Sequence, residues 1–178
     1  MRGRAGKLLN FPSRAYRDGF WFVWAFLAFP SSALFGQSLR LSPEAGSPGE
    51  QVSVNLYLAS PHGQEQPSTL QWEISIPLAQ LGLLDESPTP GPAAQAVGKS
   101  VSCRVKTTTA TTQTSICILY SGREPIHDGV VAVLRLKIAP DARLGSARVR
   151  IDQGLAVLKD LTKIAIKPMD GVVKIRQK

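Results

Sequence analysis

The stretch from residue 51 to residue 58 reads Gln-Val-Ser-Val-Asn-Leu-Tyr-Leu. Four aliphatic residues, the first at Val52 and the last at Leu58, alternate here with Gln51, Ser53, Asn55 and Tyr57. Successive side chains of a β-strand point to opposite faces, so a period of two predicts a strand with one buried face. The stretch therefore indicates a sheet that packs against a core on one side.

Strand-like segments recur along the rest of the chain, at residues 39–41, 70–76, 101–105, 116–120, 130–138, 147–151, 155–157 and 172–176. Turn-forming sequences such as Ser47-Pro48-Gly49, Asp128-Gly129 and Asp170-Gly171 separate many of them. A helix is suggested only at residues 77–84, where leucines are spaced by three. About nine short strands with almost no helix predict an all-β fold, a jelly-roll sandwich of two antiparallel sheets.

The first 36 residues differ in composition from the remainder. Five basic residues precede an unbroken run of ten apolar residues from Phe20 to Phe29, and Pro30 and small residues follow. This order is typical of a secretory signal peptide. Ten apolar residues are half of the roughly 20 that a membrane-spanning helix needs, so we expect cleavage rather than a permanent span. We predict a signal peptide over residues 1–36 and a single exported domain over residues 37–178, in the periplasm, at the cell surface or outside the cell.

The charge of the predicted mature domain argues against a nucleic-acid partner. The full chain has a formal net charge of +8, and removal of residues 1–36 leaves 16 basic and 12 acidic residues, a net charge of +4. Basic residues mostly alternate with apolar ones, as at Arg135 and Lys137, rather than forming a block. This pattern is typical of a solvated strand face, and no aromatic stacking platform accompanies it.

The two cysteines lie on either side of a threonine-rich segment. Residues 107–114 include six threonines, which favour β-structure, and we expect this segment to form the tip of a hairpin. Folding the chain about Ala110 places Cys103 opposite Cys117. In an exported protein such a pair most simply forms a disulfide. A catalytic thiol or a metal pair is the alternative, but each needs further ligands or a neighbouring base, and the only histidines are His62 and His127.

Motifs that would indicate an enzyme or a cofactor site are missing from the sequence. It contains no Gly-x-Ser-x-Gly nucleophile elbow, phosphate-binding loop, dinucleotide fingerprint, EF-hand loop or histidine-rich metal motif. Asp85 and Glu86 are adjacent, so their side chains diverge and make a poor acid–base pair. We therefore expect a binding module without catalytic activity and without a cofactor.

The order of the motifs resembles that of a cohesin domain, the sandwich module that receives dockerin domains in cellulosome-type assemblies. The most specific part is the glycine-led strand over residues 128–138 and the Ala-x-x-Gly turn at residues 142–147. Residues 49–54 resemble the opening strand of the family, and residues 170–175 resemble its closing strand. The resemblance implies docking of a dockerin-like protein partner, with a link to polysaccharide degradation. A component of an envelope or secretion assembly is a separate alternative for the partner.

Side-chain phase suggests where a partner would bind. Trp72 shares the phase of neighbouring apolar residues and is expected in the core, so Gln71, Glu73 and Ser75 should face outward. Arg135 and Lys137 face outward from the strand that most resembles the family. These five residues are the predicted partner-binding residues.

A weak carbohydrate site is the rival interpretation. Sugar-binding faces commonly use exposed aromatic rings, and Tyr57 is the candidate for such a ring because it lies opposite the apolar phase of its strand. Pairing through an exposed strand edge is a third possibility.

Overall fold

A computed structural model describes residues 36–86, 88–122 and 124–177. The predicted signal peptide lies outside these residues except for Gly36, so its cleavage stays a prediction. Short strands dominate the described part of the chain, and the one α-helix there, α1, covers Pro92–Gln95. The strands are β1 (Ser38–Leu41), β2 (Glu44–Gly46), β3 (Gln51–Ala59), β4 (Thr69–Pro77), β5 (Leu81–Leu83), β6 (Thr89–Pro90), β7 (Ser100–Thr108), β8 (Thr112–Tyr120), β9 (Gly129–Ile138), β10 (Gly145–Val157), β11 (Lys163–Ala165), β12 (Lys167–Met169) and β13 (Gly171–Ile175).

The strands form two sheets, which confirms the predicted all-β sandwich. One sheet has the order β12-β1-β3-β9-β5, with β6 also paired to β9, and the other has the order β2-β13-β10-β4-β8-β7, with β11 paired to β10. Neighbouring strands are antiparallel except at the pairs β1–β12 and β2–β13, which are parallel. The inward-facing aliphatic residues of both sheets and the indole of Trp72 form the core, in which Trp72 is fully buried as expected.

Two local predictions were wrong. The segment at residues 77–84 is not helical: Leu81–Leu83 forms β5, which pairs with β9 and buries Leu81. Long-range pairing with β9 outweighs the three-residue leucine spacing, because so short a helix is marginal by itself. The two strands predicted at residues 147–157 are one strand, β10, whose pairing with β4 shifts register between Asp152 and Leu155.

The threonine-rich hairpin is confirmed, and so is its register at the cysteines, but the tip is shifted by one residue: Thr107 faces Thr114 and Thr108 faces Gln113, which a turn centred on Ala110 does not give. β7 and β8 pair so that Val101 faces Leu119, Cys103 faces Cys117 and Val105 faces Ser115. A disulfide joins the two cysteines, whose Cα atoms are 4.1 Å apart. β7 is the last strand of its sheet, so the disulfide attaches an edge strand to its inner neighbour.

Candidate functional site

The five predicted partner-binding residues lie on opposite sides of the sandwich. Gln71, Glu73 and Ser75 are on β4, whereas Arg135 and Lys137 are on β9, and the two strands belong to different sheets. Each set alternates with buried residues and therefore faces away from the shared core. The two sets point in opposite directions and cannot contact one surface of a partner together, so a single docking face can include only one of them. Which of these residues bind a partner stays a prediction.

Glu73 also departs from the expectation of an exposed side chain, since it is only 7% exposed. Lys106 accounts for this burial: its Nζ atom donates a hydrogen bond to Glu73 Oε1 at 2.5 Å. Lys106 lies at a register shift between Val105 and Thr107 in the β7–β8 pairing. Such an irregularity changes the direction of a side chain. Here it places the ammonium group of Lys106 over the carboxylate of Glu73, although β8 lies between β7 and β4.

We use the term β8 face for the outer surface of β10, β4, β8 and β7. The registers arrange its outward residues in cross-strand rows. One row contains Arg150, Ser75, Thr114 and Thr107; the next contains Asp152, Glu73, Ile116 and Arg104; a third contains Leu155, Gln71, Ile118 and Ser102. The face therefore changes from hydroxyl and basic groups at one end to aliphatic groups at the other.

The aliphatic end of the β8 face contains side chains that the sequence analysis did not select. Ile118 is 38% exposed and Tyr120 is 41% exposed, although their neighbours Cys117 and Leu119 are buried. A shallow depression of about 180 Å³ lies beside Ile116 and Ile118. The signal was present in the sequence, because residues 116–120 are apolar on both faces and only one face of this strand can contact the core.

The basic end of the β8 face has a second depression, of about 370 Å³. Its lining includes Ser75, Thr112, Thr114, Arg148 and Arg150. The hydroxyls of Ser75 and Thr114 are hydrogen-bonded to each other, with their oxygens 2.8 Å apart. Both arginine side chains are exposed on β10, so this end presents hydrogen-bond donors and positive charge to solvent.

On the opposite side of the sandwich, Arg135 is engaged by an acidic neighbour. Its Nε and Nη2 atoms donate to the two carboxylate oxygens of Asp85, each at 2.7 Å. The hydrogen bond from Arg135 lowers the pKa of Asp85 below its ordinary value, and the same bond raises the pKa of Arg135. Lys137 is exposed on the same strand. The bidentate pair occupies two of the five N–H donors of the guanidinium.

Tyr57 is partly buried rather than freely exposed. The guanidinium of Arg40, its cross-strand neighbour on β1, lies 5.4 Å from the centre of the phenol ring. This cation–π contact covers one face of the ring. Tyr120 has the more accessible ring, so exposure alone selects a different tyrosine from the one that strand phase predicted.

Metal and membrane features can be stated for the part of the chain that the structure describes. There, no group of three or more His, Cys, Asp or Glu side chains is arranged to hold a metal ion. Within the same residues no helix is long and apolar enough to cross a bilayer.

No protein-family model matches the chain, and no curated protein matches it by sequence. Solved structures do match it. The sixth cohesin of scaffoldin B from Acetivibrio cellulolyticus, solved in complex with a dockerin, is 20% identical with a TM-score of 0.62, and the match covers 79% of this chain and 99% of that one.

This chain has a cohesin-like fold. A cohesin from a type I cohesin–dockerin complex of Clostridium thermocellum supports the same conclusion, with 16% identity, a TM-score of 0.64 and coverage of 79% of this chain and 99% of that one. A non-cellulosomal cohesin from the archaeon Archaeoglobus fulgidus matches with 11% identity and a TM-score of 0.61, covering 79% of this chain and 91% of that one. The cohesin-like sandwich thus agrees with the resemblance carried by the sequence motifs.

Proposed function

We propose that this chain is a non-catalytic docking module for another protein and that its binding surface is the β8 face. The observation that carries the proposal is the exposure of Ile118 and Tyr120 on an open sheet face whose neighbouring rows are charged. Apolar side chains surrounded by polar ones are the usual composition of a protein-binding surface. Gln71 and Ser75, predicted from strand phase, lie within this surface.

The structural neighbours support a protein partner. Cohesins from Acetivibrio cellulolyticus and Clostridium thermocellum were crystallised with dockerins. By analogy we assign this chain a dockerin-like partner or a component of an envelope or secretion assembly, with a possible role in polysaccharide degradation. The analogy is at the level of fold, so the argument for the binding surface rests on the residues of the β8 face itself.

The opposite side of the sandwich is the weaker candidate. Arg135 is already paired with Asp85, and the outward residues of β3 beside it include Ser53 and Asn55. We therefore assign Arg135 and Lys137 to a solvated face. A weak carbohydrate site at Tyr57 is the alternative function, and the contact with Arg40 counts against it because a sugar would have to stack on the other side of the ring.

Export is part of the proposal. The Cys103–Cys117 disulfide is typical of proteins that fold in an oxidising compartment, and it therefore supports an exported domain in the periplasm, at the cell surface or outside the cell. Intact-mass measurement of the exported protein tests this directly. Loss of 33 to 36 residues from the N-terminus is expected, whereas recovery of the full-length chain in the membrane fraction would reject cleavage.

The docking proposal is tested by comparing two matched variants with the wild-type domain. Ile118→Arg places a charge at the aliphatic end of the β8 face, and Val133→Arg makes a similar apolar-to-charged change on the outward, partly buried face of β9. Each domain is used to capture proteins from the native exported fraction, and the protein captured by the wild type is identified by mass spectrometry and titrated.

We expect Ile118→Arg to weaken binding by about 2 kcal/mol or more, roughly thirtyfold, because it buries a charge among the apolar contacts of the proposed interface. Val133→Arg should leave the affinity unchanged. Loss of binding in Val133→Arg but not in Ile118→Arg would move the site to the other sheet. Capture of polysaccharide alone would reject protein docking, and a circular-dichroism melt of each variant confirms that it is folded.

A further inference from the structure

The two ends of the β8 face differ in chemistry, and this difference constrains the partner. Ile118 and Tyr120 supply exposed apolar surface at one end, while Arg148 and Arg150 line the hydroxyl-rich depression at the other. On β8, Ile118 lies four positions after Thr114, which is in the row of Arg150. At a rise of about 3.4 Å per residue these two rows are about 14 Å apart along the strands, and Arg150 lies two strands, about 10 Å, to the side of β8, so Ile118 and Arg150 are about 17 Å apart.

The positive charge at the basic end is mostly uncompensated. Three ion pairs occur among the described residues, and none of them includes Arg148. Arg150 approaches Asp152 only to 3.4 Å, longer than the 2.7–2.9 Å of a strong charge-assisted bond. Between the two ends, Glu73 and Lys106 neutralise each other. The basic end therefore retains donors and charge that a ligand can use.

We propose that the partner carries Asp or Glu side chains that bind Arg148 and Arg150, about 17 Å or more from apolar side chains that pack on Ile118. This inference rests on the proposed function, since it names the chemistry of the partner at the same face. Guanidinium groups present paired N–H donors that match a carboxylate, and the neighbouring hydroxyls of Ser75 and Thr114 can add further hydrogen bonds.

The apolar end of the face favours a protein over a free inorganic anion. A phosphate ion could bind the arginines, but it has nothing to cover Ile118 and Tyr120. A polypeptide with acidic and apolar side chains satisfies both ends at once. The arginines then determine partner choice and orientation, while the apolar contacts contribute most of the affinity.

A random-peptide phage library selected on the immobilised wild-type domain supplies the probe. The enriched peptides are synthesised and titrated against wild type, Ile118→Arg, the pair Arg148→Glu and Arg150→Glu, and a control pair, Lys137→Glu and Lys167→Glu. Lys137 and Lys167 lie on the opposite sheet, so the control pair changes the net charge by the same amount at a distant site. Far-UV circular dichroism and a thermal melt verify folding, and the milder Arg148→Gln and Arg150→Gln pair replaces any unfolded variant.

We expect the enriched peptides to contain both acidic and apolar residues, and to bind the double arginine variant at least tenfold more weakly than wild type, as about 1.4 kcal/mol or more of charge interaction implies. The control pair should bind within a factor of about two of wild type. Replacing the acidic residues of a peptide with lysine should restore its binding to the charge-reversed variant.

The possible failures are distinguishable. Peptides that lose binding to Ile118→Arg but keep it for the double arginine variant would overturn the acidic partner and leave the docking face standing. Peptides that bind both variants as well as wild type would overturn both proposals. If the control pair weakens peptide binding as much as the double arginine variant does, the effect is one of net charge. That result would also overturn the assignment of acidic-residue binding to Arg148 and Arg150.

Discussion

Reduction of the Cys103–Cys117 disulfide should destabilise the domain by an amount that follows from the length of the loop. The two cysteines are 14 residues apart in sequence. In the chain-entropy model, opening a loop of this length costs about 3 kcal/mol at 25 °C. The hairpin between β7 and β8 is local, and any pairing that persists in the unfolded chain reduces this figure, so we expect about 2–3 kcal/mol. For a domain of this size the midpoint of thermal unfolding should fall by about 10 °C.

The assay compares the wild-type domain and the variant Cys103→Ala/Cys117→Ala, each with and without a phosphine reductant, by thermal and urea unfolding. The reductant should lower the stability of the wild type and have no effect on the variant. Reduced wild type keeps both sulfur atoms. The difference in unfolding free energy between reduced wild type and the variant therefore measures the packing of Cys117, which is 1% exposed. That difference should also favour reduced wild type, because truncation of a buried side chain leaves a cavity.

Two outcomes would refute this reasoning. Thiol labelling of denatured, unreduced protein that finds two free cysteines would show that the disulfide does not form. Unchanged stability after reduction, with both thiols proven free, would show that the disulfide does not constrain the unfolded chain. The edge position of β7 makes the second outcome informative, because the strand would then be held to its sheet by β8 pairing and the Lys106–Glu73 ion pair without help from the disulfide.

The remaining predictions concern a glycine contact and an ion pair. Gly91→Ala should cost about 1–3 kcal/mol in urea unfolding, because a Cβ atom there would lie 2.4 Å from the carbonyl oxygen of Val130, whereas Gly82→Ala, with nothing within 4 Å, should be nearly neutral. Equal effects of the two substitutions would contradict the close approach. A carboxyl NMR titration should give Asp85 a pKa below its ordinary 3.8 in wild type and a value closer to 3.8 in Arg135→Gln. Since the pKa of Asp85 is lowered in the folded state, its ion pair should stabilise the fold above pH 3.8, and this stabilisation should be lost as the pH falls through the folded pKa. If the pKa of Asp85 is the same in Arg135→Gln as in wild type, the ion pair is not the cause of the lowered pKa.

The sequence was sufficient to predict features that depend on residues close together along the chain. Alternation predicted the strands and the burial of Trp72, because the period of two is a property of the strand itself. Folding the threonine-rich hairpin about Ala110 predicted the pairing of Cys103 and Cys117, but it did not predict the register shift between Val105 and Thr107. The resemblance of the motif order to a cohesin domain implied a cohesin-like architecture, and the structural comparison agrees with it.

Features that depend on distant residues required the tertiary structure. Alternation separates inward from outward residues but does not say which sheet a strand joins, so it could not reveal that Ser75 and Arg135 face opposite ways. Glu73 is covered by a lysine 33 residues later in the chain, through a register shift that no local pattern indicates. The exposure of Ile118 likewise depends on what the other sheet leaves uncovered. Strand pairing and sheet packing decide these properties, because they bring together side chains whose separation along the chain carries no signal of their contact.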